Sequence, residues 1–115
     1  MSKFGNVPVT VDGIRFASRL EAKRYGQLAM LHRSGLISGL VCQPTYELLA
    51  AFTDSGGTRH RRLTYVGDFF YYDDKDIAVV EDVKGGVLTE AFRIKEKLFR
   101  SKYPGIKFVI VKENG

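Results

Sequence analysis

The chain is poor in the residues that build redox sites and soft-metal sites. Cys42 is its one cysteine, and its two histidines are His32 and His60. A lone thiol excludes an internal disulfide and a cysteine-rich zinc site. Cys42 stands in Leu40-Val41-Cys42 and fits a core thiol better than a nucleophile. Neither histidine sits at a metal-ligand spacing, so both are expected at the surface or facing nucleic acid. Long apolar runs are also missing. Nothing approaches the roughly 18 residues that a membrane helix needs, so no membrane partner is expected. The opening residues, Met1-Ser2-Lys3-Phe4-Gly5, lack an apolar signal core, which predicts a cytoplasmic protein. Internal repeats and low-complexity segments are absent.

What remains is the composition of a packed globule. Of the 115 residues, 44% are hydrophobic and 12% aromatic, enough for one domain spanning 1–115. The net charge of +5 and a pI near 9.4 turn attention to a polyanionic partner, although charge alone does not single out nucleic acid.

The order of elements follows from periodicity and turn chemistry. Val7 to Phe16 reads as a hairpin turning at Asp12-Gly13. A helix is expected from about Arg19 to His32. Ser18 and Glu21 form a capping-box pattern, and Ala17, Leu20, Tyr25, Leu28, Ala29 and Leu31 form its apolar stripe. Ser34-Gly35 ends it. An antiparallel meander is expected next, with strands Thr45 to Phe52, Leu63 to Tyr72 and Ile77 to Lys84. A short irregular stretch precedes it, and turns fall at 53–58 and 73–76. Thr89 caps a second helix, about Glu90 to Lys102, with Ala91, Ile94, Leu98 and Phe99 as its buried stripe and Lys95 inside that stripe. Pro104-Gly105 stops it. Ile106 to Val111 reads as an interior strand reached by a parallel, right-handed crossover. The fold class is therefore α/β in the broad α+β sense: a mixed sheet flanked by helices, preceded by a β-hairpin.

The candidate chemistry centres on Val79-Val80-Glu81-Asp82-Val83-Lys84-Gly85-Gly86. Side chains alternate along a strand, so Asp82 and Lys84 share one face while Glu81 and Val83 share the other. Asp68 interrupts the aromatic run Tyr65-Val66-Gly67-Asp68-Phe69, and pairing of neighbouring strands brings it beside Asp82 and Lys84. Two carboxylates that close repel, and a divalent cation neutralises them; magnesium takes oxygen ligands and no soft ones. Parity favours Asp82 over Glu81, but a bulge in this strand would reverse that choice. Bland roles stand beside these. Glu21 can serve only as a capping residue, Asp68 as an edge-strand charge, Lys84 as a strand-end charge, and Lys95 as a snorkelling amine. Arg59-His60-Arg61-Arg62 is either a solvated loop or a set of phosphate contacts.

Asp68, followed after residues 69–81 by Asp82-Val83-Lys84, resembles the PD-(D/E)xK nuclease signature, with Gly67 in the proline's place and aspartate as the second acid. More narrowly, the chain resembles small phage-encoded, endonuclease-like proteins of the DUF1064 type. That likeness rests on Asp12 to Phe16, Ser18 to Ala22, Gln43-Pro44, Gly67-Asp68-Phe69, Glu81 to Gly85 and Phe92 to Phe99. It is more distantly similar to phage endonucleases and archaeal resolvases that cut four-way junctions. The resemblance implies a restriction-endonuclease-like αβββαβ core and a magnesium-dependent DNA endonuclease, with manganese as a substitute metal. It implies metal ligands Asp68, Asp82, Glu21 and the Val83 carbonyl. Lys84 would act on the attacking water, and Lys95 would reach the phosphate or an acid. Arg59, His60, Arg61 and Arg62 would contact DNA. Structure-selective cutting in phage recombination, replication or packaging is the narrower expectation, with a homodimer on a symmetric substrate. The alternative is a non-catalytic nucleic-acid-binding module that keeps the fold.

Overall fold

The structure, a computed structural model, describes residues 7–113; Met1–Gly5, which bore on targeting, lie outside them. The chain opens with the expected hairpin, β1 (Val9–Val11) and β2 (Ile14–Phe16). Asp12 and Gly13 have φ of 54° and 76°, as the tight turn requires. Helix α1 (Arg19–Arg33) starts where the Ser18 hydroxyl accepts the Glu21 N–H at 3.2 Å. It ends in a Schellman motif: Gly35, at φ 83°, donates to the His32 carbonyl, and Leu36 donates to the Leu31 carbonyl.

The central sheet contains β3 (Ser38–Cys42), β8 (Phe69–Tyr72), β9 (Ala78–Lys84) and β10 (Lys107–Lys112), in the order β10-β9-β8-β3. β9 runs parallel to β10 and antiparallel to β8, which runs antiparallel to β3. Helix α2 (Glu90–Lys102) joins β9 to β10 and begins at the expected cap, the Thr89 hydroxyl accepting the Phe92 N–H at 3.0 Å. Two cores lie on opposite faces of the sheet. One gathers Phe16, Leu28, Ile37, Phe69, Tyr71, Val79 and Val83 beneath α1. The other gathers Leu48, Tyr65, Val80, Phe92, Phe99 and Phe108 beneath α2. The fold is mixed α+β, as expected. Among the described residues, no helix is long and apolar enough to cross a membrane.

Four details depart from the sequence reading. The first strand of the three-strand meander is β3, not Thr45 to Phe52. Gly39, at φ 65°, and a register shift between Ser38 and Val41 break its alternation and hide it from pattern reading. A Cβ on Gly39 would meet the Tyr72 ring at 3.1 Å, so the glycine makes room for that ring.

The expected strands 45–52 and 63–72 are also each split. The first becomes β4 (Thr45–Leu49) and β5 (Phe52–Thr53). The second becomes β7 (Leu63–Val66) and β8, with β6 (Arg59–His60) pairing β5. The bend lies where Gln43-Pro44 faces Gly67-Asp68. Gln43 takes φ 56°, Gly67 donates to the Pro44 carbonyl, and Gln43 donates to the Asp68 carbonyl, both at 2.9 Å. The arms stay bonded across this bend, while β4 and β7 leave the sheet as a separate pair over α2. The segment between β3 and β8 is thus an excursion from the αβββαβ order.

Helix α2 turns a different face to the core. Of the expected stripe Phe99 is buried, with Lys95 half-buried, but Ala91, Ile94 and Leu98 are exposed and Phe92 is buried in their place. Aromatic packing decides this: Phe99 lies 5.0 to 5.6 Å from the rings of Tyr46, Tyr65 and Phe108. Finally, β10 is an edge strand of the sheet and not an interior one. Its apolar run reflects cover on both faces, Phe108 and Ile110 towards α2 and Val109 and Val111 towards α1.

The helix orientation is directly testable. Phe99→Ala should cost about 3–5 kcal/mol in urea unfolding. Ile94→Ala should change stability by no more than about 0.5 kcal/mol. Equal losses would reverse the assignment of the buried face.

Candidate active site at the end of the central strand

Strand β9 carries neighbouring carboxylates to opposite faces of the sheet. Glu81 points towards α1 and is 1% exposed. Arg24 binds both of its oxygens, Nε and Nη2 each at 2.7 Å, and the Tyr71 hydroxyl donates to one of them. The pairing with Glu81 holds the Arg24 guanidinium above its usual range. Burial, followed by the bond to Glu81, lifts the Tyr71 hydroxyl. Such a pair is a structural unit, with the acid's oxygens already taken up.

Asp82 points the other way and is 5% exposed. The Tyr65 hydroxyl donates to its Oδ2 at 2.5 Å, and Lys84 Nζ stands 3.2 Å from its Oδ1. The Lys84 amine also lies 4.0 Å from the centroid of the Phe92 ring, which gives it a cation–π seat. Burial and the bond to Asp82 raise the Tyr65 hydroxyl well above its ordinary range, so it stays a donor. The parity argument for Asp82 beside Lys84 matches this geometry.

Asp68 reaches the same place from the bend between β7 and β8. Its N–H donates to the Glu81 carbonyl at 3.0 Å, next to the Phe69–Glu81 register pair. The Asp68 carboxylate turns onto the Val83 N–H, at 2.5 Å, where the β8–β9 ladder runs out. Burial pushes its pKa up to about 8, the Val83 N–H opposes the rise, and the charges of Glu21 and Asp82 add to it. Ionisation of Asp68 is therefore disfavoured relative to a free carboxyl.

Glu21 comes from the first turn of α1, its Oε2 3.3 Å from the Ser18 hydroxyl. It lines a cleft of about 630 Å³ with Arg19, Val83, Lys84 and Gly85. A second cleft, of about 360 Å³, is lined by Tyr65, Asp82, Lys84, Phe92 and Lys95. Lys84 stands on the ridge between the two.

Glu21, Asp68, Asp82, Val83 and Lys84 thus meet at the end of β9, with Lys95 across the second cleft. Arg59, His60, Arg61 and Arg62 do not join them; they lie on and just after the β5–β6 hairpin. Cys42 is half-buried against the α1-side core, and burial raises its thiol, as suits a core residue. Neither cleft is lined by histidine or cysteine, so the donors available there are hard oxygens. Among the described residues, no three acidic, histidine or cysteine side chains form a ready-made metal cage. Tyr65 and Arg24 were not singled out in the sequence. The available signal for Tyr65 is chemical: a buried tyrosine hydroxyl seeks a partner, and Asp82 lies on the second strand after it in chain order.

Residues 1–114 match the model of a family described as "Protein of unknown function (DUF1064)". No curated protein and no solved structure matches the chain.

The raised Asp68 pKa has a signed consequence for stability. Between 3.8 and about 8 the folded chain binds a proton that the unfolded chain has released, so stability falls as pH rises through that window. Without divalent cations, Asp68→Asn should gain in Tm relative to the parent chain across the same window and show no gain near its acid end. A Tm difference that is flat with pH would contradict the assignment.

Proposed function

Since the chain belongs to the DUF1064 family, whose description carries no activity, we propose a function from the site itself: a magnesium-dependent DNA endonuclease of the PD-(D/E)xK type on a restriction-endonuclease-like core. The observation that carries this reading is the gathering of the Asp68 carboxyl, held on the Val83 N–H, with the Asp82–Lys84 pair at the end of β9. A hard divalent cation neutralises such a cluster as a proton does. To hold an ion, the Asp68, Asp82 and Glu21 side chains would have to turn towards one another, since the described residues form no cage as they stand.

Asp68, Asp82, Glu21 and the Val83 carbonyl are the groups to hold Mg²⁺, or Mn²⁺ in its place. When bound, the ion polarises the phosphate and lowers the pKa of water. The remaining work belongs to the chain. Lys84, seated between Asp82 and the Phe92 ring, directs its amine at the attacking water or at the charge growing on the phosphoryl oxygens. Tyr65 fixes the Asp82 rotamer from below. Lys95, on the far wall of the second cleft, approaches the phosphate from α2. The N-terminus of α2 at Thr89 adds a weak favourable field for an anion. The +5 net charge suits a DNA partner in the cytoplasm, and a two-fold substrate suits a homodimer.

A second reading, a nucleic-acid-binding module without catalysis, is favoured by one observation. Asp82 already has Lys84 and Tyr65 as partners and needs no metal for burial.

Cleavage assays separate the two. Magnesium-dependent nicking should fall by at least about 100-fold in Lys84→Ala and in Asp82→Asn. Folding and metal-free DNA binding should survive in both. Full nicking by a clean Asp82→Asn preparation would sink the nuclease reading. Binding by the parent chain with no cleavage in magnesium or manganese would establish the second.

A further inference from the structure

From Leu49 to Arg62 every residue is exposed, so the β5–β6 hairpin stands away from both cores. The radius of gyration, 16.0 Å against roughly 13 Å for a compact chain of about this length, reflects such projections. A two-stranded hairpin in water is marginal by itself. This one is tied internally. Asp54 Oδ1 accepts the N–H groups of Gly56 and Thr58 at 2.9 and 3.0 Å, and Asp54 Oδ2 lies 2.8 Å from His60 Nε2. The tip is therefore shaped even though it buries little.

What the hairpin presents is aromatic and cationic. Phe52 and His60 are cross-strand partners, their rings 4.6 Å apart at 17°, and Phe52 remains 42% exposed. Arg59 pairs with Thr53 on the reverse face of the ribbon, its Nη1 3.4 Å from the Thr53 hydroxyl, Arg61 is exposed, Arg62 lies 3.9 Å from Glu47, and Asp54 is engaged with the turn and His60. An exposed ring pair on one face of a ribbon that also carries guanidinium groups suits a base and its neighbouring phosphates, since every base has a face that stacks.

The hairpin is joined in sequence to the candidate active site. Strand β7 (Leu63–Val66) leads from it to the bend at Gly67-Asp68. Four residues of strand cover roughly 13 Å, about four base-pair steps of 3.4 Å.

We propose that the β5–β6 hairpin is a DNA-reading arm that stacks an unpaired base on the Phe52–His60 pair while Arg59, Arg61 and Arg62 hold adjacent phosphates, directing cleavage to flapped or branched DNA. This rests on the nuclease reading and names its substrate class. Duplex alone offers no free base face, so the arm adds affinity where a strand has separated.

The test is fluorescence anisotropy in calcium with a labelled duplex and the same duplex bearing a single-stranded flap, run beside cleavage in magnesium. The parent chain should prefer the flapped DNA. Phe52→Ala should lose about tenfold in affinity for the flap and nothing for the duplex, while Phe52→Tyr keeps the preference. Arg61→Gln with Arg62→Gln leaves the ring stack intact and should reduce the slope of log affinity against log salt by roughly two on duplex. Wild-type flap preference in Phe52→Ala, or an unchanged salt slope in the arginine variant, would overturn the arm while cleavage by the parent chain leaves the nuclease reading standing. A parent chain that neither binds nor cuts either DNA would overturn both.

Discussion

Two adjacent carboxylates, Glu81 and Asp82, are buried on opposite faces of one strand, and what packs against β9 must neutralise them. Burying an unpaired carboxylate is far more costly than forming a surface ion pair, so each face requires its own solution. On the α1 face the answer is a closed unit in which Arg24 grips both Glu81 oxygens and Tyr71 donates from β8. On the α2 face it is an open one. Tyr65 donates from β7, and Lys84 completes the neutralisation from the strand end beside two clefts. The first arrangement locks helix to sheet. The second leaves a lysine and an acid within reach of solvent.

Asp68 then breaks the balance. The bend before β8 turns a third carboxyl towards the same strand end, where a backbone N–H answers it but Glu21 and Asp82 oppose its ionisation. The folded environment favours the protonated form of the group. In the proposed function that proton is what a divalent cation displaces. The bend at Gly67 and Pro44 that frees Asp68 is the same bend that sends β4 and β7 over α2, so the site and the excursion share one structural cause.

Much of this was legible in the residues, because local chemistry governs it. The Asp12-Gly13 turn, the Ser18 and Thr89 caps and the Gly35 terminus depend on neighbours in sequence, and each forms as expected. Alternation along β9 was equally local, and it separated Glu81 from Asp82 correctly. Tertiary packing decided the rest. Strand β3 was hidden because Gly39 is chosen for the Tyr72 ring above it and not for strand propensity. On α2, Ile94 and Leu98 satisfy a helical period as well as Phe92 and Phe99 do. The aromatic cluster around Phe108 selects the second pair. Arg24 and Tyr65 were invisible for a related reason: their partners lie on distant strands, and no spacing rule connects them.

The central claim is that Asp68 exchanges a proton for a divalent ion. Calorimetric titration with Mn²⁺ at pH 7, repeated in buffers of different ionisation enthalpy, measures the protons released on binding. Ion binding accompanied by release of about one proton, with both lost in Asp68→Asn, is the predicted result. Binding without proton release, or an Asp68→Asn chain that binds as the parent does, would contradict it.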